Sequence, residues 1–127
     1  MTRANVLATT VLLLSSVALA PVAAEERVES GKQLYQKYCA SCHGMNGRGD
    51  TPIGKLFTAP PPDLTRIATR RGGWFPEVLV KEIVDGRFAA HGGREMPVWG
   101  EILTTSQITL VTEYLFSIQN NPMSVSP

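Results

Sequence analysis

The chain has no strong charge of either sign. Twelve Lys+Arg face eleven Asp+Glu, a formal net charge of +1, so it has no basic surplus with which to neutralise a nucleic-acid backbone. Cysteine is scarce: Cys39 and Cys42 are the only two. Thiols this close cannot staple a long loop, which excludes a disulfide framework. No internal repeat is visible, which excludes a solenoid or propeller. No segment alternates apolar and polar residues well enough to be read as a strand, so the sequence points to a helical fold.

Long apolar runs are also rare, and the single one sits at the start. Arg3 precedes a mostly apolar stretch from Val6 to Ala20, centred on Leu12-Leu13-Leu14, and Val22-Ala23-Ala24 precedes Glu25. A positive start, an apolar middle and small residues before a polar segment are the layout of a secretory signal peptide. Cleavage is expected after Ala24. The competing reading is an uncleaved membrane anchor, because Val6 to Ala24 approaches the roughly 20 residues needed to span a bilayer. Thr9, Thr10, Ser15, Ser16 and Pro21 weaken that reading. Loss of Arg3 would leave a mature chain, residues 25–127, with eleven charges of each sign. A chain of that length suits one small domain, with an ordered core expected at about 28–119.

Three helices are expected in it. Ser30-Gly31-Lys32-Gln33 has the form of a capping box, opening a helix that carries Leu34, Tyr35 and Tyr38 up to Cys39. Pro76-Glu77 opens a second, with Phe75, Leu79 and Ile83 at four-residue spacing beside a Val80, Val84 row, ended by Gly86. Thr104 and Gln107 form another capping box, opening a third with an Ile108, Val111, Leu115, Ile118 stripe. Asn120-Asn121-Pro122 stops it, and a frayed tail is expected from there. Between the helices, Gly44 to Pro62 and Arg87 to Gly100 are rich in glycine and proline. Such long irregular runs in a small domain tend to be functional, and wrapping a cofactor edge would account for them.

The densest chemistry lies in Cys39-Ala40-Ser41-Cys42-His43. C-x-x-C-H is the sequence form of covalent c-type haem attachment. Two thiols take two haem vinyl groups, and the adjacent histidine brings an imidazole to the iron. A redox-active C-x-x-C would need a preceding strand and a βαβ setting. A zinc site would need Cys39, Cys42 and His43 to converge with His91, and the adjacent Cys42 and His43 cannot easily reach one tetrahedral ion. No second C-x-x-C-H occurs, so one haem is expected.

The iron's other side has several candidates: Met45, His91, Met96, Met123 or an open or water-filled position. Met45 is too close to His43 to reach the opposite face, and Met123 lies in the expected tail. Met96 is preferred. It lies in Gly93-Arg94-Glu95-Met96-Pro97, where Pro97 biases the preceding backbone towards an extended conformation. A methionine between glycines and a proline is also poorly placed to be helix-face filler.

Gly31, Tyr35, the Cys39–Gly44 run, Pro61-Pro62-Asp63-Leu64, Met96-Pro97 and Thr112-Glu113-Tyr114-Leu115 occur in one order, and in that order the chain resembles a class I (monohaem) cytochrome c of the bacterial periplasmic type. The resemblance covers residues 28–119. It implies an all-α, small cytochrome c-like domain of three or more helices with long loops wrapped around one covalently attached haem c. It assigns Cys39 and Cys42 to the thioether bonds and His43 and Met96 to the iron. The Pro62 carbonyl would take a hydrogen bond from the other nitrogen of His43, and Leu64 would pack on the ring. Gly31 and Tyr35 would cross Val111 and Tyr114, and Trp74 and Trp99 would pack near the haem. Thr51 stands where many bacterial members carry glycine.

The function expected from this pattern is a periplasmic electron carrier, not an enzyme. It would pass single electrons between redox partner proteins: a donor dehydrogenase or cytochrome complex, and an acceptor oxidase or reductase. No nucleic acid is expected, and a membrane only if the leader is retained. The alternatives are a haem subunit permanently docked to a dehydrogenase or oxidase, and a small peroxidase with an open distal site built on His91 and Arg94.

Overall fold

A computed structural model of the chain describes residues 20–87 and 95–120. Its regular elements are four α-helices, α1 (Ala20–Tyr38), α2 (Ala40–His43), α3 (Glu77–Asp85) and α4 (Thr105–Ser117), with short 3-10 turns at Gly54–Leu56, Leu64–Arg66, Thr69–Arg71 and Trp99–Glu101. No strand occurs among the described residues. This is the all-α architecture with long loops that the sequence indicates.

The capping box of α4 forms as its residues dictate. Gln107 N donates to Thr104 Oγ1 at 3.2 Å, and Thr104 N donates to Gln107 Oε1 at 2.9 Å. Together these bonds satisfy donors that a helix start leaves unpaired. Ile108, Val111 and Leu115 are buried along one face, joined by Tyr114 and Thr112. The Thr112 hydroxyl removes its own polarity from the core by donating to Ile108 O at 2.9 Å. Val80 and Val84 of α3 are also buried, and Phe75 meets Phe116 edge-on with ring centroids 5.4 Å apart. Gly86 closes α3, and Lys81 pairs with Glu77 one turn back at 2.6 Å.

The largest helix contact is between α1 and α4. Arg27, Gly31 and Tyr35 lie four residues apart on one stripe of α1. A Cβ at Gly31 would overlap the carbonyl of Leu110 and come within 3.1 Å of Tyr114 Cβ. The two backbones therefore approach as closely as a missing side chain allows. One turn further on, the rings of Tyr35 and Tyr114 are 5.1 Å apart. One turn back, Arg27 makes a two-pronged contact with Glu113 at 3.0 and 2.6 Å. That pair is largely exposed, so solvent screening leaves it little weight. The glycine sets the contact and the ion pair trims it.

Two expectations are corrected. α1 does not begin at Ser30. It is already helical at Ala20, the first described residue, and Ser30 is mid-helix, its hydroxyl donating to Glu26 O at 2.9 Å. The capping pattern goes unused because Ala23, Ala24, Glu25, Glu26 and Arg27 are themselves acceptable in a helix and propagate it upstream. The expected cleavage point after Ala24 thus falls within α1, while most of the leader lies outside the described residues. In addition, Asn120, the first residue of the expected frayed tail, is held by the hydrogen bonds given below, while the rest of that tail, residues 121–127, lies outside the described residues. No helix among the described residues is long and apolar enough to cross a membrane.

Because nothing flexible borders Gly31, Gly31→Ala forces the two backbones apart. A loss of roughly 2–3 kcal/mol is expected, as for overpacked cores. Urea denaturation of the variant against wild type measures it, and a loss below about 0.5 kcal/mol contradicts the close crossing.

Candidate haem site

The residues after α1 turn sharply. α2 carries Cys39 at its N-cap, Cys42 inside it and His43 at its end. Its chain is then bent back by the loop that follows. Gly49 N donates to His43 O at 2.8 Å, and Gly49 has φ +73° in the left-handed region. A Cβ there would also overlap the Pro61 carbonyl. Only glycine fits that position. Tyr35, fully buried on α1, donates its hydroxyl to Gly44 O at 2.7 Å. Thr51 Oγ1 donates to Cys42 O and accepts from Gly54 N, both at 2.9 Å. The histidine is therefore clamped on both sides by main-chain bonds. Thr51, to which the sequence pattern assigns no role, is one of the clamps.

These elements enclose a cavity of about 470 Å³, within the range of cofactor and ligand sites. Cys39, Cys42 and His43 line one part of it. Met96 and Trp99 line another, and the ring of Trp99 meets Tyr38 edge-on at 5.7 Å. α3 contributes Leu79, Val80, Ile83 and Val84, and α4 contributes Val111 and Leu115. Pro62 and Leu64 line the cavity through the loop between α2 and α3. All six predicted site residues, Cys39, Cys42, His43, Pro62, Leu64 and Met96, thus border a single cavity. His91 and Arg94 lie outside the described residues, and Met45 is 62% exposed.

The electrostatics favour a neutral imidazole at His43, since burial pushes its pKa below the ordinary histidine value. A neutral ring keeps a lone pair for a metal. Its Nδ1 is buried with no hydrogen-bond partner. The bond expected from the Pro62 carbonyl is absent from the structure, and Pro62 is exposed. Cys39 and Cys42 are free thiols. Burial, with a smaller contribution from Cys42, pushes the Cys39 thiol up to about 12. A redox-active pair needs a depressed thiol, so this environment argues against that competitor. Among the described residues no group of three or more His, Cys, Asp or Glu is arranged to hold a metal ion; His91, the fourth ligand of the zinc reading, lies outside them.

The donor set fits a haem. The walls are chiefly apolar, two thiols and an imidazole sit together on one side, and the thioether of Met96 reaches the same space. Arg70 and Arg71 border the cavity from the turn after Leu64, and Arg70 Nη1 is steadied by Asp63 O at 2.8 Å. Guanidiniums suit the carboxylate substituents of such a ring. No local sequence signal places these two arginines at the cavity; the fold does. Trp74 departs from expectation in the other direction: it is 51% exposed and does not border the cavity.

The family model described as cytochrome C oxidase, cbb3-type, subunit III, matches residues 26–115. Among curated proteins, the cbb3-type cytochrome c oxidase subunit CcoP of Azospirillum brasilense is 31% identical over 94 residues. That alignment covers 71% of this chain and 28% of the relative. The cbb3-type cytochrome c oxidase subunit FixP of Azorhizobium caulinodans is 30% identical over 90 residues, covering 71% of this chain and 27% of the relative. The chain thus spans little more than a quarter of the length of these relatives.

Two variants separate the tethering and ligating roles. Cys39→Ala with Cys42→Ala is expected to make the haem extractable by acid solvent, whereas wild type retains it. Retention by the double variant would contradict thioether attachment. Met96→Ala is expected to lose the spectral signature of an axial methionine and to lower the reduction potential, since a thioether ligand favours the ferrous iron. An unchanged spectrum would assign the ligand elsewhere.

Proposed function

The chain belongs to the family described as cytochrome C oxidase, cbb3-type, subunit III, and from that premise we propose that it is a haem module docked to a terminal oxidase, to which it passes electrons one at a time. It is an electron-transfer haem protein rather than an enzyme. The observation that carries the proposal is the family match over residues 26–115, on a cavity bordered by Cys39, Cys42, His43 and Met96. The freely diffusing carrier expected from sequence has weaker support, because the relatives on both alignments are described as oxidase subunits.

Cys39 and Cys42 would tether one haem c, and His43 and Met96 would hold its iron. When bound, the haem supplies reversible one-electron chemistry between ferrous and ferric iron. The chain's own residues do the rest. Tyr35, Thr51 and Gly49 fix the backbone on either side of His43. Val80, Val84, Val111 and Leu115 exclude water from the ring, which keeps the surrounding dielectric low. Arg70 and Arg71 place positive charge at the cavity edge. With His43 and Met96 both holding the iron, no substrate would need to reach it and no proton donor would be required at it.

The basic start and apolar run of residues 1–24 support export, with the module working on the periplasmic side. A mature protein lacking those residues by mass would fit a cleaved leader, and an intact chain would fit a retained anchor.

The docked reading is tested by purifying the tagged chain from detergent-solubilised membranes of its own cell. Co-purification of a haem-containing oxidase, surviving high salt, is the expected result. Recovery of the chain alone in the soluble periplasmic extract would return the function to a diffusing carrier.

A further inference from the structure

Gln119 lies just beyond α4 and does not border the cavity. It is nevertheless 7% exposed, and its amide is used in full. Oε1 accepts from Ala68 N at 2.9 Å, while Nε2 donates to Leu64 O at 2.7 Å and to Leu115 O at 2.6 Å. The next residue extends the seam. Asn120 N donates to Thr65 O at 2.9 Å, Asn120 Nδ2 donates to Thr65 Oγ1 at 3.2 Å, and Asn120 O accepts from Thr69 Oγ1 at 3.2 Å. Residues 64–69 are thereby joined to the end of α4 across more than fifty residues of chain.

That same segment forms a cavity wall. Leu64 and Ile67 line the cavity, and Arg70 and Arg71 follow directly. Apart from Leu64 N, which donates to Gly47 O at 2.7 Å, the wall's long-range main-chain bonds run to Gln119 and Asn120. A buried amide presents two donors and an acceptor together, an arrangement that an ionised Glu or a Lys cannot reproduce.

We propose that Gln119 is a positioning residue of the haem site: it locks the Leu64–Ala68 wall against α4 and so keeps water away from the cofactor. A wall that parts raises the polarity around the ring. Higher polarity favours the more highly charged ferric iron, since haem potentials respond to burial. The inference rests on the haem-binding reading of the preceding section, and it concerns a residue whose hydrogen bonds run to Ala68, Leu64 and Leu115 rather than to His43 or Met96.

The test uses the full chain, matured in a host that attaches c-type haem, with three readouts: covalent haem, equilibrium redox titration, and amide exchange at Ala68. Wild type must carry covalent haem; if it carries none, the haem-binding reading falls and this proposal falls with it. For Gln119→Met, helix content is expected to be unchanged and exchange at Ala68 about tenfold faster. At a fixed applied potential the ferrous-to-ferric ratio is expected to be about threefold lower, against 59 mV per tenfold for one electron. Faster exchange at an unchanged potential would show a purely structural lock and overturn the proposal, as would no change in either. Should Gln119→Met fail to fold, Gln119→Asn keeps the amide but shortens its reach by one methylene. A smaller shift in the same direction is then expected, and an unchanged potential overturns the proposal equally.

Discussion

The close approach of α1 to α4 at Gly31 is the constraint on which the other features depend. Because no side chain separates Gly31 from the Leu110 carbonyl, the two helices cross at one place and Tyr35 is set against Tyr114. Tyr35 then reaches Gly44 with its hydroxyl. The loop leaving His43 is thus referenced to the same crossing that holds the core together. A shift in the crossing would move the histidine, not merely loosen the fold.

The rest of the site is held by loops, and loops this long need explicit anchors. Here the anchors are main-chain bonds made by small or polar residues. Gly49 bends the chain back on His43, Thr51 bridges Cys42 and Gly54, and Gln119 fastens the Leu64–Ala68 wall. None of these residues supplies much apolar area. Their effect is to satisfy buried backbone groups that would otherwise be costly, while Val80, Val84, Val111 and Leu115 supply the apolar enclosure. Specific hydrogen bonds place the wall and non-specific burial keeps it dry.

Several features were legible in the sequence because their physics is local. The Thr104–Gln107 capping box is complete within four residues, and the apolar stripe of α4 repeats at the helical period. The Cys39–His43 pentapeptide confines two thiols and an imidazole to one short turn wherever it is placed. The Ser30 capping pattern misled for an equally physical reason: a cap matters only where the helix stops, and helix-compatible residues upstream carry α1 past it. Trp74 misled because an aromatic residue's burial depends on what the fold brings to it, and nothing local records that.

The sequence by itself determined which groups are at hand: two thiols and an imidazole in the form of a haem-attachment motif, and a thioether at Met96, with helices whose period and caps follow from neighbouring residues. Only the tertiary structure decided that Met96 shares a cavity with His43, that Arg70 and Arg71 border it, and that Gln119 secures its wall. Those relations join residues far apart in the chain. They depend on how closely α1 and α4 pack and on where the loops find hydrogen-bond partners, and neither pattern repeats along a sequence at any fixed spacing.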